Sequence, residues 1–402
     1  MRTLYSVGVS VMGVRPGLES LLEDAALLRG RRFAVLGNQA AVTTNLVPAW
    51  SALSGCGGTL ARLFAPEHGL WGIAQDMEAV AEEREPVSGV VVDSLYGSGA
   101  DTLAPSAESL SDLDAMVVDL PDIGCRYYTF AATLAHVMAA CERAGVEVIV
   151  CDRPNPLGGL ALEGGPVSPG CRSFVSELPV PVRHGMTLGE LALLLRAARH
   201  PGLALTVLPC RGWRRSQWWD DTGLPWVLPS PNMPSLDTAT VYPGACLVEA
   251  TNLSEGRGTT RPFQLIGAPW LDGEALAGRL NAHALPGARF RATRFRPGFG
   301  KHVDAVCSGV EWHVVDRLAL EPLRTGVTLL AEVRRLHPED FAWRAQPYEF
   351  VVDVPAIDLL TGSAAARNAI EAAADLEPLF AEWREHCAAF ASARRAHLLY
   401  EP

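Results

Sequence analysis

The chain is poor in the features that announce the commoner chemistries. Positive charge is in deficit: 34 Lys and Arg stand against 45 Asp and Glu, for a formal charge of −11. Neither a basic tail nor a clustered Lys/Arg face is visible, which argues against nucleic acid or an anionic membrane as partner. The one basic-aromatic cluster, Arg211, Arg214 and Arg215 with Trp213, Trp218 and Trp219, runs at once into Asp220 and Asp221 and reads as a structural or substrate-lining loop. Nine cysteines are scattered with no C-x-x-C pair, so neither a disulfide framework nor a zinc knuckle is indicated and a reducing compartment is expected. No stretch approaches the ~18 apolar residues of a membrane span. Residues Met1 to Val9 lack the long apolar run of a signal peptide, so a soluble, cytoplasmic protein is expected.

Cofactor and nucleophile signatures are missing as well. The loop after the first expected strand reads Gly37-Asn38-Gln39-Ala40-Ala41-Val42, without the G-x-G-x-x-G that lets a backbone approach a pyrophosphate. The chain has no P-loop, no G-x-S-x-G elbow and no H-E-x-x-H. No cofactor and no metal is expected. A metal-dependent hydrolase would have to assemble its site from distant residues such as His68 and His184. Cys125 reads as a small packing residue.

What is present is a repeated unit. Four short apolar runs, Phe33–Leu36, Arg62–Ala65, Ala115–Val118 and Val146–Val150, each empty into a loop of acids, amides and arginine. In an open parallel sheet such loops lie along one edge, where ligands bind. Helical leucine spacing over 17–29 precedes the first run. Further helices are expected near 46–54, 107–112, 131–144 and 187–199, and strands near 89–93 and 203–208. This alternation predicts an α/β protein with a Rossmann-like, doubly wound parallel sheet. The 402 residues exceed one ordinary core, and the proline-punctuated Leu224–Pro234 suggests a boundary. The expected division is a catalytic domain over 1–228 and a smaller α+β domain over 229–402. The second part has helices near 273–282, 322–336, 364–373 and 376–398, and strands near 286–296, 304–315 and 348–353.

With other chemistries set aside, carboxylates remain. Glu67, Asp122, Asp152, Glu163 and Glu255 each lie in a glycine- or proline-rich loop that can aim a carboxylate. Asp122 and Asp152 read equally well as structural partners of Arg126 and Arg153 or as helix caps. Glu67, in Pro66-Glu67-His68-Gly69, has no helix or surface face to explain it. Tyr127, Tyr128, Trp71 and the later tryptophans offer the stacking surface that a sugar ring requires.

Seven motifs, in order along nearly the whole chain, resemble the bacterial exo-β-N-acetylmuramidase family, NamZ, long catalogued as a domain of unknown function. They are Ala65–Gly69, Asp122–Thr129, Asp152–Gly159, Glu163-Gly164, Pro181–Thr187, Pro229–Pro234 and Thr251–Thr259. The resemblance implies a Rossmann-like domain, a smaller C-terminal domain and an active cleft between them. It also implies release of N-acetylmuramic acid from the non-reducing end of peptidoglycan fragments, in cell-wall turnover and recycling. Carried over by motif, Glu67 is the first catalytic candidate and Glu163 the second, with Asp122 as a further one. His68, Arg126, Tyr128, Arg153, Asn155, His184, Asn232, Glu255 and Arg257 would bind or support the sugar. The chain departs from the family at Leu70-Trp71, where Phe-Arg is common, and at Pro121, a frequent glutamine, changes expected to touch the cleft.

Glycoside hydrolysis needs one group to protonate the leaving oxygen and a second to attack or to activate water. The carboxyls lie about 5–5.5 Å apart for retention and about 6.5–9.5 Å for inversion. Glu67 is expected to be the acid, and Glu163, Asp122 or the substrate's own 2-acetamido group the second. The lactyl carboxylate calls for a bidentate arginine, with Arg126, Arg153 and Arg257 as candidates. The expected partner is a muramic-acid-terminated saccharide, and the expected assembly a monomer or weak dimer. The rival reading is a noncatalytic module that captures the same fragments.

Overall fold

The computed structural model describes residues 13–402. The N-terminal segment read for a leader therefore falls outside the described residues. Seven strands form the main sheet: β1 Arg32–Gly37, β2 Thr59–Ala65, β3 Glu83–Arg84, β4 Val91–Ser94, β5 Ala115–Asp119, β6 Glu147–Cys151 and β7 Leu205–Leu208. Their order is β3-β4-β2-β1-β5-β6-β7, parallel throughout except that β3 runs antiparallel to β4. The chain steps outward from β1 to β2 and β4, then returns to the other side of β1 for β5. The strand order thus reverses between β1 and β5, and the loops at their C-terminal ends part to leave a crevice.

The central strands are apolar runs because both faces of the sheet are covered. On one face Phe33, Val35, Leu63, Val117 and Ile149 pack with Leu18, Leu21 and Trp50. On the other, Ala34, Leu36, Met116, Val118 and Val148 pack against the helix Phe130–Ala144 and continue without a break to Ile266, Val310 and Trp312 of the second sheet. Helix limits follow local signals. Gly145, at φ 70°, ends Phe130–Ala144 in the left-handed conformation that glycine takes most readily. A Thr187/Glu190 capping box starts Leu188–Arg199. The expected helix 17–29 is interrupted at Asp24, which leaves helical geometry and caps a short 3₁₀ turn.

The second sheet has order β8-β10-β9, antiparallel, from β8 Leu265–Ala268, β9 Ala288–Phe295 and β10 Cys307–Val314. The helices Gly273–Ala282 and Pro322–Leu336 match the expected spans. A helix that the prolines concealed, Leu236–Ala245, is started by the Ser235 side chain and crosses Pro322–Leu336 where Gly244 meets Gly326. A Cβ on Gly244 would stand 1.8 Å from the Pro322 carbonyl oxygen, so the crossing requires glycine. The strand expected at 348–353 does not form: Glu349 and Phe350 adopt φ of 47° and 66°, and only a Tyr348–Val351 bridge closes a tight turn. No described helix is long and apolar enough to cross a membrane.

Candidate active site

Glu67 leaves the end of β2 in the turn Pro66–Gly69 and is 4% exposed. Thr129, just before the helix Phe130–Ala144, donates its hydroxyl to Glu67 Oε2 at 2.7 Å. The Met77 N–H reaches Oε1 at 3.2 Å. His68 donates Nδ1–H to the Ala74 carbonyl at 2.9 Å, which fixes the ring's orientation. Together with Tyr128, Asn232 and Arg257, the residues Glu67, His68 and Thr129 line one cavity.

Three further carboxyls line the same cavity: Asp76, Glu249 and Glu349. Glu349 accepts the Tyr96 hydroxyl at 2.8 Å. Burial, then the charge of Glu67, push its carboxyl well above the ordinary range. Glu249 accepts the Tyr348 hydroxyl at 2.7 Å and Arg257 Nη2 at 2.6 Å, and burial pushes it upward too. Arg257 also lies 3.2 Å from Asp76 and 3.3 Å from Glu255, so three carboxylates share one guanidinium. Burial raises the Glu255 carboxyl, but Lys301, 2.9 Å away, and Arg257 outweigh it and hold it below the usual range. Rings complete the wall: Tyr128 stands edge-on to Tyr242, and Tyr242 edge-on to Phe263. Burial keeps the Tyr128 phenol far above its ordinary range and therefore a proton donor.

The backbone is strained around this cavity. His68, Met77, Phe263 and Glu349 hold φ of 73°, 56°, 64° and 47°, a region that non-glycine residues enter at a cost. Such outliers cluster where a side chain has to be aimed.

Of the sequence-derived residues, Glu67, His68, Tyr128, Asn232 and Arg257 meet in the cavity. Asn232 donates Nδ2–H to Gln75 at 2.8 Å. Glu255 sits behind Arg257, lining an adjoining outer cleft. The remaining candidates are placed elsewhere. Glu163 caps the helix Pro322–Leu336, accepting the Leu323 N–H at 3.0 Å in a separate cavity with Arg183 and Trp383. Asp122 does not line the cavity and accepts the Gly124 N–H at 2.7 Å. His184 lies 3.9 Å from it, kept neutral because burial, with Arg394 and Arg126, pushes its imidazole down to about 3.

Arg126 is 1% exposed and spends its guanidinium on the carbonyls of Gly165, Val180 and Leu360, which staples three chain segments together. Arg153 pairs with Asp119 rather than Asp152, at 2.5 and 2.8 Å, and Asp152 instead holds Thr187, Gly189 and Tyr400. Asn155 bonds Met186 and Leu157 and packs under Gly124, locking the loops after β5 and β6 together. The departures at 70, 71 and 121 do not line the cavity. Leu70 enters the core under the sheet, Trp71 stands edge-on to Trp50, and Pro121 faces a small pocket beside Arg153. The sequence reading did not single out Asp76, Glu249 or Glu349. Glu249 and Glu349 interrupt apolar runs, Leu247-Val248-Glu249-Ala250 and Tyr348-Glu349-Phe350-Val351, and an acid lodged in such a run was their only signal.

A doubly wound sheet, a smaller antiparallel sheet and a carboxyl-rich cavity walled by aromatic rings define the class: an α/β enzyme that works by carboxylate chemistry on a ring-shaped polar substrate. The profile of exo-β-N-acetylmuramidase NamZ, N-terminal, matches residues 33–237, and that of exo-β-N-acetylmuramidase NamZ, C-terminal, matches residues 240–400. The chain belongs to the NamZ family. It is 39% identical over 389 residues to the peptidoglycan β-N-acetylmuramidase NamZ of Bacillus subtilis strain 168, covering 96% of this chain and 91% of that one. Crystal structures of two DUF1343 family proteins from Bacteroides fragilis superpose with TM-scores of 0.87 and 0.75, at 31% and 26% identity. Each comparison covers 96% of this chain and 99% of the other.

Proposed function

We propose that the protein is an exo-β-N-acetylmuramidase, a glycoside hydrolase that releases N-acetylmuramic acid from the non-reducing end of peptidoglycan fragments. The observation that carries this reading is the meeting of Glu67 and Glu349 in one cavity, near enough that the charge of one raises the proton affinity of the other. Two carboxyls with divided roles are what glycoside hydrolysis requires. Glu349, which keeps its proton, suits donation to the leaving oxygen. Glu67 then takes the opposite role of attacking the anomeric carbon or activating water, the reverse of the sequence-based expectation. Tyr128, Asn232 and His68 supply hydrogen bonds to the ring hydroxyls and acetamido group, and the edge-on aromatic set supplies an apolar wall.

The test is incubation of the purified protein with a muramic-acid-terminated disaccharide, following free N-acetylmuramic acid by mass spectrometry. Glu67→Gln is expected to lose on the order of 10²–10⁴-fold in rate while folding normally. Near-wild-type turnover by that variant would remove Glu67 from the mechanism. Tight binding of the disaccharide by the wild type without any release would favour the capture module.

A further inference from the structure

The proposed substrate carries a carboxylate, and a site that selects it needs a cation that the protein has not already neutralised. Arg126 and Arg153 are buried away from the cavity on carbonyls and on Asp119. Arg257 is claimed by Asp76, Glu249 and Glu255. Lys301 is spent on Glu255 and the carbonyls of Val248, Glu249 and Leu253.

Arg344 is different. It lines the outer cleft, of about 840 Å³, which shares Asp76, Glu249 and Arg257 with the Glu67 cavity. Its backbone N–H is tied to the Ala250 carbonyl at 2.8 Å, and its guanidinium lies 5.5 Å from the centre of the Tyr348 ring. Among the described residues no carboxylate pairs with it. Nε is enclosed by protein without a partner, Nη1 has none, and Nη2 reaches only the soft Met77 sulfur at 3.8 Å. The same Met77 donates its N–H to Glu67. A planar guanidinium is thus stacked on a ring of the cavity wall, one residue away from Glu67, with Nε enclosed and the terminal Nη end left for a planar anion.

We propose that Arg344 is the specificity-determining residue that binds the lactyl carboxylate of the terminal N-acetylmuramic acid, end-on through its two terminal nitrogens Nη1 and Nη2. This rests on the muramidase reading. N-acetylglucosamine lacks the lactyl group, so the preference between the two sugars reads the contact directly.

The experiment compares wild type, Arg344→Gln and Arg344→Lys on the 4-nitrophenyl β-glycosides of N-acetylmuramic acid and N-acetylglucosamine, with thermal melts alongside. Arg344→Gln is expected to lower the muraminide-to-glucosaminide ratio of kcat/KM by about 10- to 100-fold, the loss of one charge-assisted contact. Arg344→Lys is expected to restore part of the ratio, since it keeps the charge without the fork. An unchanged ratio in a folded variant overturns the proposal. A loss seen only on fragments carrying a stem peptide overturns the lactyl assignment and gives Arg344 to a peptide carboxylate. Wild-type turnover of the muraminide tests the muramidase reading separately. Should it fail, calorimetric preference for free N-acetylmuramic acid over N-acetylglucosamine, present in the wild type and absent in Arg344→Gln, still decides the role of Arg344.

Discussion

Replacing Asp122 by asparagine separates a structural carboxyl from a catalytic one. Its side chain is 8% exposed, with Oδ2 on the Gly124 N–H and Oδ1 buried without a partner. Burial pushes the carboxyl from 3.8 up to about 7, against the opposing N–H groups of Gly124 and Ile123. A folded-state value above the unfolded one means that the native protein holds the proton longer. Unfolding then releases it between pH ~4 and ~7, and stability falls as pH rises through that window. A rise of this size corresponds to an upper limit of about 4 kcal/mol, of which roughly 2–3 kcal/mol is lost between pH 5 and 8. Asparagine carries no charge to bury, so Asp122→Asn removes this dependence. Urea unfolding of both proteins at pH 5 and pH 8 reads the difference, and other raised acids such as Asp152 and Glu163 cancel because both proteins contain them. The variant is expected to gain on the wild type as pH rises. Parallel pH dependences would refute the reasoning, because they would mean that the carboxyl carries no proton in this window. Since Asp122 lies outside the cavity, turnover is expected to stay within about tenfold of wild type, the lower bound for losing an acid–base group being about 10²-fold.

Other variants sort the remaining roles. Tyr96→Phe removes a donor that favours the ionised form of Glu349, so the Glu349 carboxyl rises further and the alkaline limb of the kcat/KM profile moves to higher pH. A limb that stays in place, or moves down, would take the acid role away from Glu349. Glu163→Gln is expected to lower stability by about 1 kcal/mol through a weakened helix start while leaving the muraminide rate near wild type, as read by thermal melts and the glycoside assay. A folded variant with no turnover would place Glu163 in the reaction.

The fold was largely legible because its signals are local. Apolar runs of strand length at β1, β2, β5 and β6 and helical periodicity at Gly273–Ala282 and Pro322–Leu336 survive tertiary packing intact. Leu236–Ala245 was hidden by Pro229, Pro231 and Pro234 before it and Pro243 within it, although Ser235 marked its start. The segment Tyr348–Val351 has a strand's alternation, yet tertiary demands turn it sharply so that Tyr348 reaches Glu249 and Glu349 reaches Tyr96. The site divided along the same line. Glu67 stood out as a carboxylate in a glycine- and proline-rich loop, and His68 and Tyr128 came with the family motifs. The same two cues selected Asp122, which bonds its own loop at Gly124, and Glu163 and Arg126, which hold segments far apart in sequence to one another. That distinction depends on which carbonyl or N–H faces the side chain, information that no local pattern contains.

Four left-handed residues around the cavity bear on how this sequence would respond to engineering for stability. Glycine enters that region freely, whereas any side chain costs about 1–2 kcal/mol. Glycine would therefore relieve strain at His68, Met77, Phe263 and Glu349, and a redesign guided by backbone comfort alone would nominate these positions early. Two of the four are the imidazole beside Glu67 and the second carboxyl itself. Keeping the four side chains costs the backbone on the order of 4–8 kcal/mol, concentrated around the Glu67 cavity. Backbone comfort and side-chain placement thus pull in opposite directions at these four positions.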